Sequence, residues 1–301
     1  MLWRFVQVSD PHLGSEMDGQ WNNGFICSMM PDVMRCLKGD LAKLEPDFIL
    51  ATGGICSHQT RDAMFAARDL MDSLGFPYYP MGGNHDFVLE DSRAWFLEAF
   101  HAHLPVQNTY YSFDHKNLHF SVLDAWWKWS DDSLSLVSEP KIAVTQKEHL
   151  KGARWELPQE QLDWLHEDLK KNVDKPCIVS SHYPAVGVPD RLRKNGLKDG
   201  GCLQNGKELI DLLHKHPQVR AIFAGHLHMH VIEKDDQLTH VATGALPEYP
   251  TEYRDMRVYE DRIEIETLGL SDPSFSARSL IPGNDFTAGQ PQDRTATISL
   301  V

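Results

Sequence analysis

Trp3-Arg4-Phe5-Val6-Gln7-Val8-Ser9, followed at once by Asp10-Pro11-His12, is the stretch on which the reading of this chain turns. A short β-rich run predicts a strand, and the abrupt polar cluster behind it marks the strand's carboxyl end. The pattern repeats twice. Residues 48–52 predict a second strand, ending at Gly53-Gly54, and residues 77–81 a third, ending at Gly82-Gly83 and then Asn84-His85-Asp86. Helical spacing fills the gaps. Val33, Leu37, Leu41 and Leu44 lie on one face of a segment 29–44 that Pro46 stops, and Met64, Ala67, Leu70, Met71 and Leu74 on one face of 61–74, closed by Gly75. Strand, helix, strand, helix, strand predicts parallel strands joined by helical crossovers, an α/β fold.

The rhythm then loosens toward a mixed α+β arrangement. Residues 92–100 predict a helix, and 110–113 with 118–124 an antiparallel pair. Residues 126–155 have no clear period and are read as a cap or excursion. A helix is expected over 158–171, a strand over 177–181 ending at His182, a helix over 205–216, and a strand over 219–224 ending at Gly225-His226-Leu227-His228. Short strands are expected at 231–234, 239–243, 256–259 and 262–267. One domain is expected over 1–270, and the Pro-, Gly-, Ser- and Asp-rich residues 271–301 read as an irregular C-terminal arm.

Composition narrows the function classes. The chain has 301 residues, 42% hydrophobic and 24% charged, with a net charge of −14. That acidity argues against a nucleic-acid polymer as partner, which calls for a basic surface. No apolar run approaches the ~18 residues of a membrane span, and the start reads as a strand rather than a leader. Cytoplasmic localisation is the expectation, and the oligomeric state stays open. The five cysteines are scattered, without a Cys-x-x-Cys pair, so neither a disulfide framework nor a structural zinc site is expected.

The strand ends carry the chemistry. In open α/β sheets, ligands bind outside the carboxyl ends of the strands. Here those ends present Asp10 and His12, Gly53-Gly54, Asn84 with His85 and Asp86, His182, and His226 with His228. Imidazole, carboxylate and amide together suit zinc, manganese or iron. The set is too rich for one four-coordinate ion, which argues for two, and paired ions suit an in-line displacement at phosphorus.

Asp-x-His, Gly-Gly, Gly-Asn-His-Asp, a lone His and Gly-His-x-His, in that order, resemble the calcineurin-like metallophosphoesterases, nearest their cyclic nucleotide phosphodiesterase branch. The resemblance covers roughly residues 3 to 267. It implies two mixed β-sheets in a sandwich flanked by helices, and two divalent or trivalent ions (Mn, Fe or Zn) acting on a small phosphorylated substrate. It assigns Asp10, His12 and His228 to one ion, and Asn84, His182 and His226 to the other. It makes His85 the residue that touches the phosphate or protonates the leaving group, oriented by Asp86.

One position departs from the pattern. The family has Asp where this chain has Gly54, so the carboxylate that bridges both ions is missing. Two neighbouring dications repel by about 10–20 kcal/mol even at an effective dielectric constant near 20. The expectation is a loosely held second ion and impaired activity. A phosphodiesterase is the leading reading. A crippled chain that binds a phosphate compound or partner without turnover is the alternative, as is a phosphomonoesterase or pyrophosphate hydrolase.

Other conspicuous residues have plainer readings. His101 and His103 read as surface, His214 and His216 as the end of a helix, and His230 as no ligand although it extends the His226, His228 alternation. Trp126, Trp127 and Trp129 read as packing rather than as a wall for a flat group. Arg191, Arg193, Lys194 and Lys198 read as a solvated loop, and Tyr183 is a candidate to line the pocket.

Overall fold

Alternation along β1 (Trp3–Val8) sends Phe5 and Gln7 to one face, and that face decides the architecture. Phe5 meets Phe120 edge-on with ring centres 5.5 Å apart and Phe223 at 6.1 Å, while the Gln7 amide donates to the Ala224 carbonyl at 3.0 Å. These partners belong to a second sheet, so β1 is the central seam between two layers. The computed structural model describes residues 1–57, 60–89, 91–130, 133–136 and 153–301.

After β1 come β2 (Gly19–Gln20), β3 (Gly24–Phe25), α1 (Met30–Leu44), β4 (Phe48–Ala51), α2 (Arg61–Asp72), β5 (Tyr78–Pro80) and α3 (Ser92–Ala99). The middle of the chain forms β6 (Tyr111–His115), β7 (Leu118–Leu123), β8 (Trp126–Ser130), β9 (Ser133–Leu136), β10 (Ala153–Trp155), α4 (Gln159–Lys171) and β11 (Cys177–Ser181). The remainder forms α5 (Gly206–Leu213), β12 (Val219–Ala224), β13 (Val231–Lys234), β14 (Thr239–Ala242), β15 (Glu252–Val258), β16 (Arg262–Gly269), α6 (Ser274–Ser279) and β17 (Thr295–Ser299).

One six-stranded sheet has the order β17-β16-β15-β1-β4-β5, the other β13-β14-β12-β11-β7-β6. Both are mixed. β1, β4 and β5 run parallel, as do β7, β11, β12 and β14, and antiparallel partners complete each sheet. The expected sandwich of two mixed sheets with helical crossovers is therefore what forms. Between the layers Phe48 meets Phe113 and Phe120 edge-on, and Phe113 stacks on Phe120 at 4.9 Å. Such pairs each add about 0.5–1.5 kcal/mol beyond area burial. The apolar faces read from the sequence, Val33, Leu37 and Leu41 of α1 and Met64, Ala67 and Met71 of α2, are buried in the same core.

Two local features explain how the helices begin and end. The Thr60 side chain accepts from the Ala63 amide at 3.1 Å, capping α2. Glu45 takes a left-handed conformation (φ 51°) just past α1, and Pro46 prevents continuation.

The tail differs from the irregular arm expected over 271–301. β17 pairs antiparallel with β16 and completes the first sheet. The Asp293 carboxylate, fully buried, accepts from Arg191 and from the amides of Ile232 and Gln290, while Arg294 forks onto Glu252 at 2.9 and 2.7 Å. The Pro- and Gly-rich composition up to residue 291 hid the short β-branched run Thr295-Ala296-Thr297-Ile298. Arg191, expected in a solvated loop, is one jaw of this clamp. Within the expected excursion, β8 pairs with β9 and β10. The side chains of Trp126, Trp127 and Trp129 lie outside the described residues.

Candidate metal centre

The loop after β1 and the loop after β4 lie side by side, because the amides of Asp10 and His12 donate to the carbonyls of Gly53 and Gly54, each at 2.9 Å. The turns that follow are strained. Asp10, His12, His226 and His228 have φ of 46°, 45°, 66° and 54°, four of the seven non-glycine residues with positive φ among the described residues. Left-handed conformations cost L-residues of order 1 kcal/mol or more and concentrate at functional sites. Here they bring side chains from separate strands to one point.

Asp10 sits at that point. Its Oδ2 accepts from Ser9 Oγ (2.7 Å) and from the His226 amide (2.9 Å). Its Oδ1 is buried and has no hydrogen-bond partner among the described residues. Around Oδ1 stand the Nε2 atoms of His228 at 3.4 Å, His182 at 3.7 Å and His12 at 3.8 Å. His12 Nε2 and His228 Nε2 are 3.2 Å apart, and His182 Nε2 is 2.9 Å from Asn84 Oδ1.

Each histidine's other nitrogen decides what faces inward. His182 Nδ1 lies 2.9 Å from the Thr52 carbonyl, which only accepts, so Nδ1 carries the hydrogen and Nε2 presents its lone pair. His226 is held the other way round: Nε2 donates to the Gly200 carbonyl at 2.9 Å and leaves Nδ1 free. His228 Nδ1 meets Glu248 Oε2 at 2.7 Å. A carboxylate or carbonyl behind these three imidazoles is the usual support of a metal-ligating histidine.

His182 Nε2 thus faces Asn84 Oδ1 acceptor to acceptor, while Asp10, His12 and His228 crowd around a proton on His228 whose place a bound cation would take. Two donors about 2.1 Å from one ion stand roughly 3.0–3.7 Å apart. The separations within Asp10, His12 and His228, and between His182 and Asn84, match that to a few tenths of an ångström. Asp10, His12 and His228 form the one trio of His, Cys, Asp or Glu among the described residues whose ligand atoms all lie within 4.8 Å of one another. The fold thus gathers Asp10, His12 and His228 at one point and sets His182 beside Asn84, and the chemistry of these donors fits divalent ions.

The electrostatics agree. Burial opposes charge on Asp10, yet the surrounding His182, His228 and His12 hold its carboxyl well below the usual range. Burial and the neighbouring rings push His12 and His226 well down, and burial lowers His182. His228 is the exception. Burial works against its charge, but Asp10 and Glu248 on either side raise it to about 10.

Glycines make room for this crowd. A Cβ on Gly53 (φ 88°) would lie 2.4 Å from His182 Nδ1. At Gly54 (φ 63°) a Cβ would lie 2.3 Å from Asp10 Oδ1. The expected bridging carboxylate is thus absent, and Asp10 occupies the space beside it.

His85 and Asp86 differ from each other. His85 is half-buried, meets the His12 ring edge-on at 4.6 Å, and makes no hydrogen bond among the described residues. Burial and His228 lower it to about 4. Asp86 is not joined to His85 as expected. Its carboxylate turns back to accept the amides of Gly83 (2.7 Å), Ile55 (3.2 Å) and Cys56 (2.7 Å). Asp86 therefore ties the loop carrying Gly54 to the turn carrying Asn84, positioning backbone rather than His85. Burial pushes it up to about 7 against those three donors.

Several contributors carried no sequence signal. Glu248 lies in a Pro-Glu-Tyr-Pro stretch without periodicity, and the Thr52 and Gly200 contacts are made by backbone. Phe25 stacks on the His12 ring at 5.3 Å, and Trp21 lies 6.5 Å from His228. Tyr183 is buried behind His226 at 3.9 Å and supports that ring. Elsewhere, His103 pairs with Asp72, His214 with Asp235 and His216 with His166, while His230 is buried beside Glu252.

Comparison with known proteins points the same way. Residues 4–230 match the family model described as calcineurin-like phosphoesterase. A probable glycerophosphodiester phosphodiesterase of Arcobacter nitrofigilis is 28% identical over 74% of this chain and 71% of its own length. A 3',5'-cyclic-nucleotide phosphodiesterase of a Nostoc species is 25% identical over 62% of this chain and 59% of its own length. Among solved structures, a dimetal phosphatase from Danio rerio superposes over 100% of this chain and 99% of its own with a TM-score of 0.70 at 16% identity, a likeness of fold.

Proposed function

The chain belongs to the calcineurin-like phosphoesterase family, and on that premise we propose that it is a dinuclear metal-dependent phosphodiesterase acting on a small diester. It is a metallophosphoesterase, and its fold implies divalent metal ions. The observation that carries the finer reading is the convergence of the buried, unbonded Asp10 Oδ1 with the Nε2 atoms of His228, His182 and His12 at 3.4, 3.7 and 3.8 Å, and of His182 Nε2 with Asn84 Oδ1 at 2.9 Å. In this reading Asp10, His12 and His228 hold one ion, and Asn84, His182 and His226 the other.

When bound, the ions polarise the phosphoryl oxygens and acidify a water. The protein's own part is positional. Glu248, the Thr52 carbonyl and the Gly200 carbonyl lock His228, His182 and His226 with the required nitrogen inward. His85, beside His12 and lowered to about 4 so that its ring is neutral, hydrogen-bonds through its N–H the phosphoryl oxygen on which charge develops. Phe25 and Trp21 flank the ligands and contact the departing group.

Gly54 favours a second reading, a chain that binds phosphate esters with little turnover, because one carboxylate is missing between the two sets. Hydrolysis of an aryl phosphodiester with added manganese or zinc, compared with a monoester and a pyrophosphate, separates these possibilities. Metal-dependent turnover of the diester above the others supports the first reading. Binding of the diester without hydrolysis under every metal supports the second. Cytoplasmic localisation fits this reading, given five free thiols and no described helix long and apolar enough to cross a membrane.

A further inference from the structure

We propose that Asp10 Oδ1 serves both ligand sets at once, filling the place left by the missing side chain at position 54. The inference rests on the metal-dependent reading above. Three observations carry it.

First, Oδ1 is shared by distance. It lies as near to His182, of the second set, as to His12, of the first: 3.7 and 3.8 Å, with His228 at 3.4 Å. These distances place Oδ1 between the two sets. Second, the carboxylate is held in this orientation from behind. Ser9 Oγ and the His226 amide both donate to Oδ2, so Oδ1 is the oxygen turned inward. Oδ1 itself is buried and makes no hydrogen bond among the described residues, which leaves it as the oxygen available to a cation.

Third, the placement depends on glycine. A Cβ at position 54 would come within 2.3 Å of Oδ1 and 3.0 Å of the Asp10 Cα and Cγ. No side chain fits there while Oδ1 stays where it is. Gly54 and the inward Oδ1 are therefore one arrangement: the loss of one carboxylate opens the space into which the other turns. A centre with a single shared carboxylate carries one negative charge fewer than one with two. It should hold its ions more loosely, yet remain dinuclear.

The test counts ions. Chelator-treated wild type, Asp10→Asn, His12→Ala and Gly54→Ala are titrated with Mn2+ by equilibrium dialysis with elemental analysis, and each is checked for folding by circular dichroism. In Asp10→Asn the two donors behind the side chain retain the amide oxygen, which turns the NH2 group toward both sets. Both dissociation constants should rise at least tenfold. His12→Ala should weaken one ion and spare the other. Gly54→Ala, which displaces Oδ1 while replacing no ligand residue, should weaken both ions like Asp10→Asn and does not depend on the stability of that variant. If Asp10→Asn or Gly54→Ala keeps one ion at wild-type affinity, Asp10 belongs to a single set and the inference is wrong, while the metal-dependent reading survives. If wild type binds no ion specifically, that reading falls and the inference with it.

Discussion

Glu248→Gln should weaken the ion held by Asp10, His12 and His228 by about 10–100-fold. Glu248 is fully buried, and its two oxygens serve two donors, His228 Nδ1 at 2.7 Å and the Asn23 amide. A glutamine has one oxygen, so its NH2 group must face one of these donors, and the negative charge behind His228 is gone in either case. A charge-assisted bond of this kind is worth about 1.5–3 kcal/mol, which at 1.4 kcal/mol per decade is the one to two decades stated. The assay is calorimetric titration of Mn2+ into chelator-treated protein, with steady-state turnover of an aryl phosphodiester at saturating metal. Affinity should fall while kcat at saturation falls much less, because Glu248 touches a ligand and not the substrate. Unchanged affinity would mean that the His228 ring is held by its packing alone and that the Glu248 contact is incidental.

His85→Ala should lower kcat by about 10²–10³ with metal content unchanged, read by turnover and elemental analysis together; loss of ions would make His85 a ligand. Phe25→Ala should raise KM for an aryl diester by roughly 2–10-fold, the worth of one aromatic contact, with kcat nearly preserved; an unchanged KM would place Phe25 outside the substrate's path. His119 links β7 to α4, bonding Asp168 at 2.9 Å and Asp114 at 2.8 Å. Burial works against its charge, but the two aspartates raise it above the usual histidine range. Its contribution to stability is therefore complete below that range and fades as pH climbs through the raised value. His119→Gln should lower the thermal midpoint more at pH 6 than at pH 9, and an equal loss at both would contradict the assignment.

Much of this was legible because strands and ligands share one grammar. Apolar runs end where Asp10, Gly53, Gly83, His182 and Gly225 begin, so the strand ends and the chemistry were found together. Adjacency misled at Asp86: next to His85 in sequence, it folds back within its own turn to the Gly83 amide. Glu248 was invisible because nothing local marks it. It reaches His228 only because the chain returns to β1 through the Ser9 and Ala245 bridge. At position 54 the sequence could show that a carboxylate was lacking. It could not show that Asp10 Oδ1 stands in the space, since that follows from Ser9 and the His226 backbone. The strand at residues 295–299 was masked by the turn-forming residues before it.

Metal-free protein titrated with Mn2+ under continuous assay against an aryl phosphodiester, with bound ions counted at each step, tests the metal-dependent reading most directly. Turnover should be absent before the first ion, and should rise as the second, more weakly held ion enters. Turnover at full rate in chelator, with no metal in the protein, would contradict it.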